Sequence, residues 1–205
     1  MNRDSIRRAV DSVCGMMEEN KDYLISLDQQ NGDGDLGLSM EGGFCAVRDF
    51  LAATDEQDMG KLLMKCGAAF NEAAPSSLGT ILSFGFMGMA KALKGQAEAP
   101  FEAFARSFMA GVEKIMERAH SKPGEKTVLD ALYPAAEAYL ARADDPAAAR
   151  AAAARAAEAG SELTRGMRAV HGRAAYYGDK SIGVLDGGSV AGMLIVKGIE
   201  RAFQE

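Results

Sequence analysis

The chain has 205 residues, a formal net charge of -6, 48% hydrophobic and 25% charged residues, no Trp, two His and three Cys. That length suits one domain with a sizeable core, and a composition so near the globular average excludes wholesale disorder. The acidic balance, with basic residues scattered as Arg7-Arg8, Arg48 and Lys91, excludes the concentrated positive face of a nucleic-acid binder.

Ala dominates while the stiff strand formers Val, Ile and Thr are sparse, so helix is favoured over sheet. Helical spacing then recurs along the chain. Ile6, Val10, Val13, Met17 and Leu24 mark a first helix, and Leu38, Phe44, Val47 and Leu51 a second. Leu62, Cys66 and Phe70 give a third. Leu78 to Leu93 gives a fourth that is apolar nearly all round and is expected to be central. Phe101, Phe104, Phe108, Val112 and Ile115 form the clearest stripe, read as core and not as a cofactor box. Further helices are expected over Thr127 to Arg142, Pro146 to His171 and Ser189 to Phe203. Asp144-Asp145 before Pro146 is a cap-then-Pro start signal. The Ala-rich stretch Ala147 to Ala157 lacks Gly and Ser and reads as a closely packed helix, not a linker. The prediction is a single domain over residues 1–205, an all-α bundle of about eight helices.

Cys14, Cys45 and Cys66 are odd in number, widely spaced and set among apolar neighbours, the pattern of buried thiols in a reducing compartment and not of a disulfide framework. No run reaches the ~18 apolar residues of a membrane span, and Met1-Asn2-Arg3-Asp4 opens no signal peptide. A soluble, cytoplasmic chain with no membrane or nucleic-acid partner is expected.

The helical pattern breaks with Gly and polar residues at Asp28 to Gly37, His120 to Lys126 and Gly172 to Gly188, with a shorter break at Ala73 to Ser77. Chemistry is expected where these loops gather. The most informative is Asp28-Gln29-Gln30-Asn31-Gly32-Asp33-Gly34-Asp35-Leu36-Gly37. Three carboxylates this close repel one another, and a hard divalent cation such as Mg²⁺ resolves the conflict. The literal Gly32-x-Gly34-x-x-Gly37 spacing also fits a dinucleotide fingerprint, but no strand precedes it and Asp33 and Asp35 would repel a pyrophosphate. A calcium loop counted from Asn31 places Gly42 where a bidentate Glu belongs. A solvated acidic turn is the bland alternative. Against it, the helix beginning near Gly37 offers free N–H donors to phosphate while Asp28, Asp33 and Asp35 hold metal.

Asp28-x4-Asp33-Gly-Asp35-x-Gly37-x-x-Met40 resembles the signature of the L subunit of dihydroxyacetone kinase, the nucleotide-binding member of that family. Further blocks follow in the family's order. They are Pro75-Ser76-Ser77-Leu78-Gly79-Thr80, Pro123-Gly124-Glu125-Lys126-Thr127-Val128-Leu129-Asp130, Gly172-Arg173-Ala174-Ala175-Tyr176 and Asp186-Gly187-Gly188. The resemblance implies a closed barrel of eight antiparallel helices that binds ADP or ATP at one end through two Mg²⁺ ions. It assigns Asp28, Asp33 and Asp35 as metal ligands, and Leu36, Gly37, Leu38, Ser39, Ser76 and Ser77 as phosphate contacts. Arg173 would approach the phosphates too, and Val128, Asp186, Gly187 and Gly188 would border the nucleoside.

Two Mg²⁺ against three Asp leave a site of about +1 by formal counting, suited to an anionic nucleotide, and Arg173 adds to the attraction. Lys126 is either part of that site or an exposed flank residue, and His171 reads as structural. Leu36 stands where many family members have His, Gly187 where they have Pro, and Ala175 where they have Ser. Losing the imidazole leaves the metal site intact and the kinase subtype open.

The function implied is phosphoryl transfer to dihydroxyacetone or a similar short keto-sugar held by a separate K-type substrate-binding subunit. Two modes exist in the family: ATP used directly, or bound ADP rephosphorylated by a phosphotransferase-system phosphocarrier. The alternatives are the nucleotide domain of a kinase for another sugar or a fatty acid, and a nucleotide-sensing regulatory module without turnover.

Overall fold

The computed structural model describes residues 1–204. Among the described residues it holds eight α-helices, two 3-10 segments and no strand beyond an isolated Asn2–Glu98 bridge. The helices are α1 (Arg3–Asp28), α2 (Leu36–Ala53), α3 (Met59–Ala73), α4 (Ser77–Ala92), α5 (Phe101–Ala119), α6 (Leu129–Ala141), α7 (Pro146–Leu163) and α8 (Gly187–Arg201). Each packs on its neighbours in sequence, and α8 returns to pack on α1, which closes the ring. The all-α expectation holds. Because the chain runs up and down, the loops after α1, α3, α5 and α7 share one end. No described helix is long and apolar enough to cross a membrane.

Local signals explain the ends. Asn2 caps α1 by accepting from the Ser5 N–H at 3.0 Å, and Asp145 caps α7 by accepting from Ala148 at 3.1 Å with Pro146 opening the helix. The Phe stripe of α5 faces inward as expected. Phe101, Phe104 and Phe108 surround the fully buried Tyr139 ring of α6 at centroid distances of 6.0, 5.5 and 5.2 Å. An apolar cavity of ≈ 160 Å³ inside the barrel is lined by such residues as Val10, Phe44, Phe86, Phe108, Val112 and Ile195. None of the acidic loop lines it.

Three expectations are corrected. Helix α4 is not central but one stave of the wall, with Met87 38% exposed, because a closed ring of helices has no middle position. Helix α7 ends at Leu163 and not at His171; its apolar pattern runs on into a 3-10 turn, Thr164–Gly166, that redirects the chain toward the site. Cys14 and Cys45 are not separate buried thiols: they are joined as a disulfide between α1 and α2, with Cα atoms 5.4 Å apart, while Cys66 is free and buried. Sequence separation hid this pair, since the turn at residues 28–36 folds two distant helix positions side by side.

The Ala-rich α7 is a helix, with Ala149, Ala153, Ala154 and Ala157 buried against its neighbours. Small residues permit a close approach to α6, and it is tightest at Gly160, where an added Cβ would strike the Asp130 carbonyl oxygen. Gly160→Ala is therefore expected to destabilise the fold by about 2–3 kcal/mol through overpacking against backbone that cannot move aside. A urea melt checks this, and the gain in helix propensity from Gly to Ala, about 1 kcal/mol, will not offset it.

Candidate functional site

The acidic loop is a tight descent from α1 to α2. Asp28 closes α1, and its Oδ2 accepts from the Gly34 N–H at 2.7 Å, so the loop folds back over the helix end. Gly34 sits at φ 80, the left-handed region that a side chain disfavours. The result is convergence: Asp28, Asp33 and Asp35 each offer a carboxylate oxygen, all lying within 4.8 Å of one another. Helix α2 begins directly behind, with Asp35 at its cap position making no side-chain cap bond. The first-turn N–H groups of Leu36, Gly37 and Leu38 therefore have no acceptor within the helix and face the loop end with the positive pole of the helix dipole.

The charges register this crowding. Burial, together with the charges of Asp33 and Asp28, raises the Asp35 carboxyl above its ordinary range. Asp33 is held below it, chiefly by the Arg173 guanidinium, which forms an ion pair with the carboxylate. Arg173 opens a 3-10 segment, Arg173–Ser181, so this pair ties the long loop before α8 to the acidic loop. The donor set is all carboxylate oxygen, and its charge is only partly met by one guanidinium. It fits a hard divalent cation such as Mg²⁺ and suits a soft metal poorly.

A second layer lies beneath. Asp186 caps α8 by accepting from the Ser189 N–H at 2.6 Å, while its own N–H donates to Thr164 Oγ1 at 3.1 Å. Burial pushes the Asp186 carboxyl up to about 6, against an opposing pull from Lys126. Lys126 is only 3% exposed, so the flank-residue reading is wrong. Its ammonium donates to the carbonyls of Thr164 at 2.6 Å and Val184 at 2.5 Å, lacing the loops before α6 and α8 together. Asp130 is also buried and accepts from the N–H groups of Gly124 at 2.6 Å and Thr127 at 2.7 Å, which shapes the loop that carries Lys126. Ser161, Thr164 and Ser189 complete the layer through their hydroxyls, Ser161 and Ser189 lying 2.9 Å apart.

Of these supporting residues, Ser161, Thr164 and Ser189 were missed by sequence reasoning, Asp130 entered only as part of a motif, and Asp186 and Lys126 were singled out. The available signal was the Gly124-Glu125-Lys126-Thr127 run with Asp130 three residues on, a spacing by which one carboxylate can gather two backbone donors. His171, read as structural, pairs with the loop before α6: its Nε2 lies 2.7 Å from Glu125 Oε2, and the imidazole helps hold that carboxyl low.

The sequence-assigned residues are not all brought together. Asp28, Asp33, Asp35 and Arg173 meet directly. The Leu36 side chain is buried and lies over Gly187, where a Cβ would approach it to 2.7 Å, so only its backbone faces the site. Leu38, placed on the apolar stripe of the second helix, is instead 56% exposed. Gly37 allows α2 to press on α1, since a Cβ there would meet the Lys21 carbonyl and come within 2.8 Å of Ile25. Ser39 is buried and donates its N–H to Asp35. Val128 is buried against Gly192, and Gly188 lies near the Val128 backbone, so Val128 presents main chain and not side chain to the loop end. Ser76 caps α4 by accepting from Gly79 at 3.1 Å. Ser76 and Ser77 follow α3, at the barrel end that also carries the acidic loop.

Linkage gives the pH behaviour of Asp186. Its folded value of about 6 stands above the ordinary 3.8, so whatever stability it contributes is fully present below about 3.8 and is lost as the pH rises through 6. Asp186→Asn keeps an acceptor for Ser189 and removes the charge. Its melting temperature is expected to exceed wild type by several degrees at pH 8, with the gap closing toward pH 4. A gap independent of pH would contradict the burial account.

The family profile described as the DAK2 domain matches residues 30–201. The chain is 29% identical over 197 residues to the ADP-binding subunit DhaL of the PEP-dependent dihydroxyacetone kinase of Escherichia coli (strain K12), covering 94% of this chain and 93% of that one. It is 30% identical over 185 residues to a corresponding DhaL subunit, of PEP-dependent dihydroxyacetone kinase 2, from Listeria innocua, covering 88% and 86%. Its fold superposes on the crystal structure of the C. freundii dihydroxyacetone kinase in complex with AMP-PNP and Mg²⁺ with a TM-score of 0.75 at 23% identity. That match covers 95% of this chain but 33% of the solved one, so this barrel corresponds to a third of that kinase. With the profile spanning most of its length and full-length relatives of the DhaL type, the chain belongs to the DAK2 domain family.

Proposed function

We propose that this chain is the nucleotide-binding subunit of a dihydroxyacetone kinase-type phosphotransferase. The observation that carries the reading is the convergence of Asp28, Asp33 and Asp35 in front of the uncapped first turn of α2, with Arg173 against it. In this reading the three carboxylates would hold two Mg²⁺ ions and the free first-turn N–H groups of Leu36, Gly37 and Leu38 receive phosphate oxygens, the Ser39 N–H being taken by the Asp35 carbonyl. Bound magnesium would supply charge neutralisation to the transferring phosphoryl group. Arg173 exchanges part of its attachment to Asp33 for the phosphates, since a guanidinium binds either oxyanion in the same forked manner. The main chain at Val128 and at Asp186 to Gly188 borders the nucleoside, and Ser76-Ser77 lies at the outer edge of the phosphates. Nothing here asks for a chemical base; positioning and electrostatics are the protein's contribution.

The acceptor is a short keto-sugar such as dihydroxyacetone, presented by a K-type substrate-binding subunit. The full-length relatives in E. coli and Listeria are named PEP-dependent, which favours the mode in which ADP stays bound and a phosphotransferase-system phosphocarrier recharges it. The test is calorimetry of ADP with and without Mg²⁺, followed by turnover with a K-type subunit, dihydroxyacetone and either ATP or a phosphohistidine donor. Equal ADP binding with and without Mg²⁺ would sink the metal-bridge model. Turnover with ATP alone would move the chain to the directly ATP-using mode.

A further inference from the structure

A second cluster of reactive side chains lies outside this site. Cys14 of α1 is fully buried, Cys45 of α2 is partly exposed, and their Cα atoms stand 5.4 Å apart, well inside the range a disulfide spans. Glu18 Oε1 lies 3.6 Å from the Cys14 sulfur and 3.4 Å from the Cys45 sulfur, and Arg48 donates to the same oxygen at 3.1 Å. The phosphoryl-transfer reading uses none of these groups. Their place in the chain is informative: the two cysteines are 31 residues apart, and the segment they bracket contains Asp28, Asp33, Asp35 and the first turn of α2.

We propose that Cys14 and Cys45 form a reversible oxidation site, a dithiol that peroxide converts to a staple between α1 and α2 and that a cellular dithiol reopens. The partly exposed Cys45 is the thiol a peroxide reaches. Its thiolate attacks one peroxide oxygen, the O–O bond breaks, and Cys45 becomes a sulfenic acid as the other oxygen leaves as water. Cys14 then attacks the Cys45 sulfur, the S–O bond breaks, and a second water departs. Two thiols are oxidised by two electrons and one peroxide is reduced to two waters. Glu18 is placed to take the Cys14 proton during the second step, and Arg48 balances its charge. Low-molecular-weight disulfides reach the same product by thiol exchange at Cys45.

The bond closes a ring around the whole acidic loop. It therefore restrains the unfolded chain and opposes splaying of α1 from α2, the two helices that set the spacing between Asp28 and the first turn of α2. Reduced, the pair leaves the loop held by packing, by its own backbone bonds such as Asp28–Gly34, and by the Arg173–Asp33 ion pair, with no covalent tie between α1 and α2. This inference rests on the helix geometry and not on the nucleotide reading, and its test needs no nucleotide.

The full chain is reduced with dithiothreitol, treated with hydrogen peroxide, alkylated under denaturing conditions and mapped by mass spectrometry, with melting temperature measured in parallel. The expected result is a Cys14–Cys45 crosslink within one chain, Cys66 alkylated, and restoration of three alkylated thiols by dithiothreitol. The crosslinked form is expected to melt about 6–12 °C higher, the shift anticipated for closing a ring of this size in a chain of this length. Cys45→Ser should show neither crosslink nor shift. Three alkylated thiols after peroxide, crosslinks only between copies, sulfinic acid at Cys45 without the bond, or a crosslink with unchanged melting each overturns it. So does stoichiometric zinc retained on the pair and blocking oxidation, which would make the cluster a metal site.

Discussion

Asp35→Asn is expected to lower Mg²⁺-dependent ADP affinity by at least about 100-fold while slightly raising the melting temperature of the metal-free chain. The two effects share one cause. Asp35 is raised above the ordinary carboxylate range by burial and by its neighbours Asp33 and Asp28, which means its charge opposes the fold when no cation is present. The same charge is what a hard cation would use, and losing one carboxylate ligand costs at least as much affinity as losing a supporting partner, which is typically 10- to 100-fold. Calorimetry reads the first effect and a thermal melt in chelator reads the second. An ordinary acidic turn predicts something else: an Asn there would leave ADP affinity unchanged whatever the magnesium concentration. A drop in both affinity and melting temperature would instead show that Asp35 is needed for the loop's shape.

That opposition of stability and function also explains which parts of the molecule were legible in its sequence. The loop was legible because it breaks a local rule: three like charges within a few residues have no reason to persist in a fold optimised only for packing. The helices were legible because apolar spacing repeats, and α5, with its Phe every three or four residues, is the plainest case. What periodicity cannot report is which helices touch. The run from Leu78 to Leu93 looked central because apolar residues cover most of its circumference, but in a ring such a helix can turn one side to the cavity and others to its neighbours. Equally, no local pattern could place Cys14 beside Cys45, or show that the Leu36 side chain turns inward while Leu38 turns out to solvent. At the site, the residues that would touch ligand were readable as short motifs. The residues that hold those motifs in place, Ser161, Thr164 and Ser189, come from helix ends whose sequence carries no unusual feature. Their role exists only once α7 and α8 are packed together.

Lys126→Met is expected to destabilise the fold by about 3–5 kcal/mol and to loosen the barrel end that carries the site. Three things depend on that one ammonium. It satisfies the buried carbonyls of Thr164 and Val184, which a thioether cannot do. It holds Lys126 itself at φ 62, a left-handed backbone conformation that a residue with a side chain adopts at a cost of about 1–2 kcal/mol. It also lowers the Asp186 carboxyl, which burial alone would push still higher. Burial pushes the ammonium itself below its ordinary value, and the charges of Asp186 and Asp130 hold it up, so the cation and Asp186 stabilise each other's ionised forms. With Met in place, the segment from Thr164 to Asp186 loses both ammonium ties to the loop before α6, leaving the His171–Glu125 contact. Hydrogen exchange should then rise from Leu163 to Gly187 more than in α3 or α5, and the Asp186 titration should move above 6. Lys126→Arg should recover only part of the loss, because a planar guanidinium fork does not fit a pocket shaped for a point donor between two carbonyls. If Lys126→Met melted like wild type with unchanged exchange, the ammonium would be incidental to the site, and the loops around Asp186 would have to be held by the hydroxyls of Ser161, Thr164 and Ser189 together with the His171–Glu125 pair.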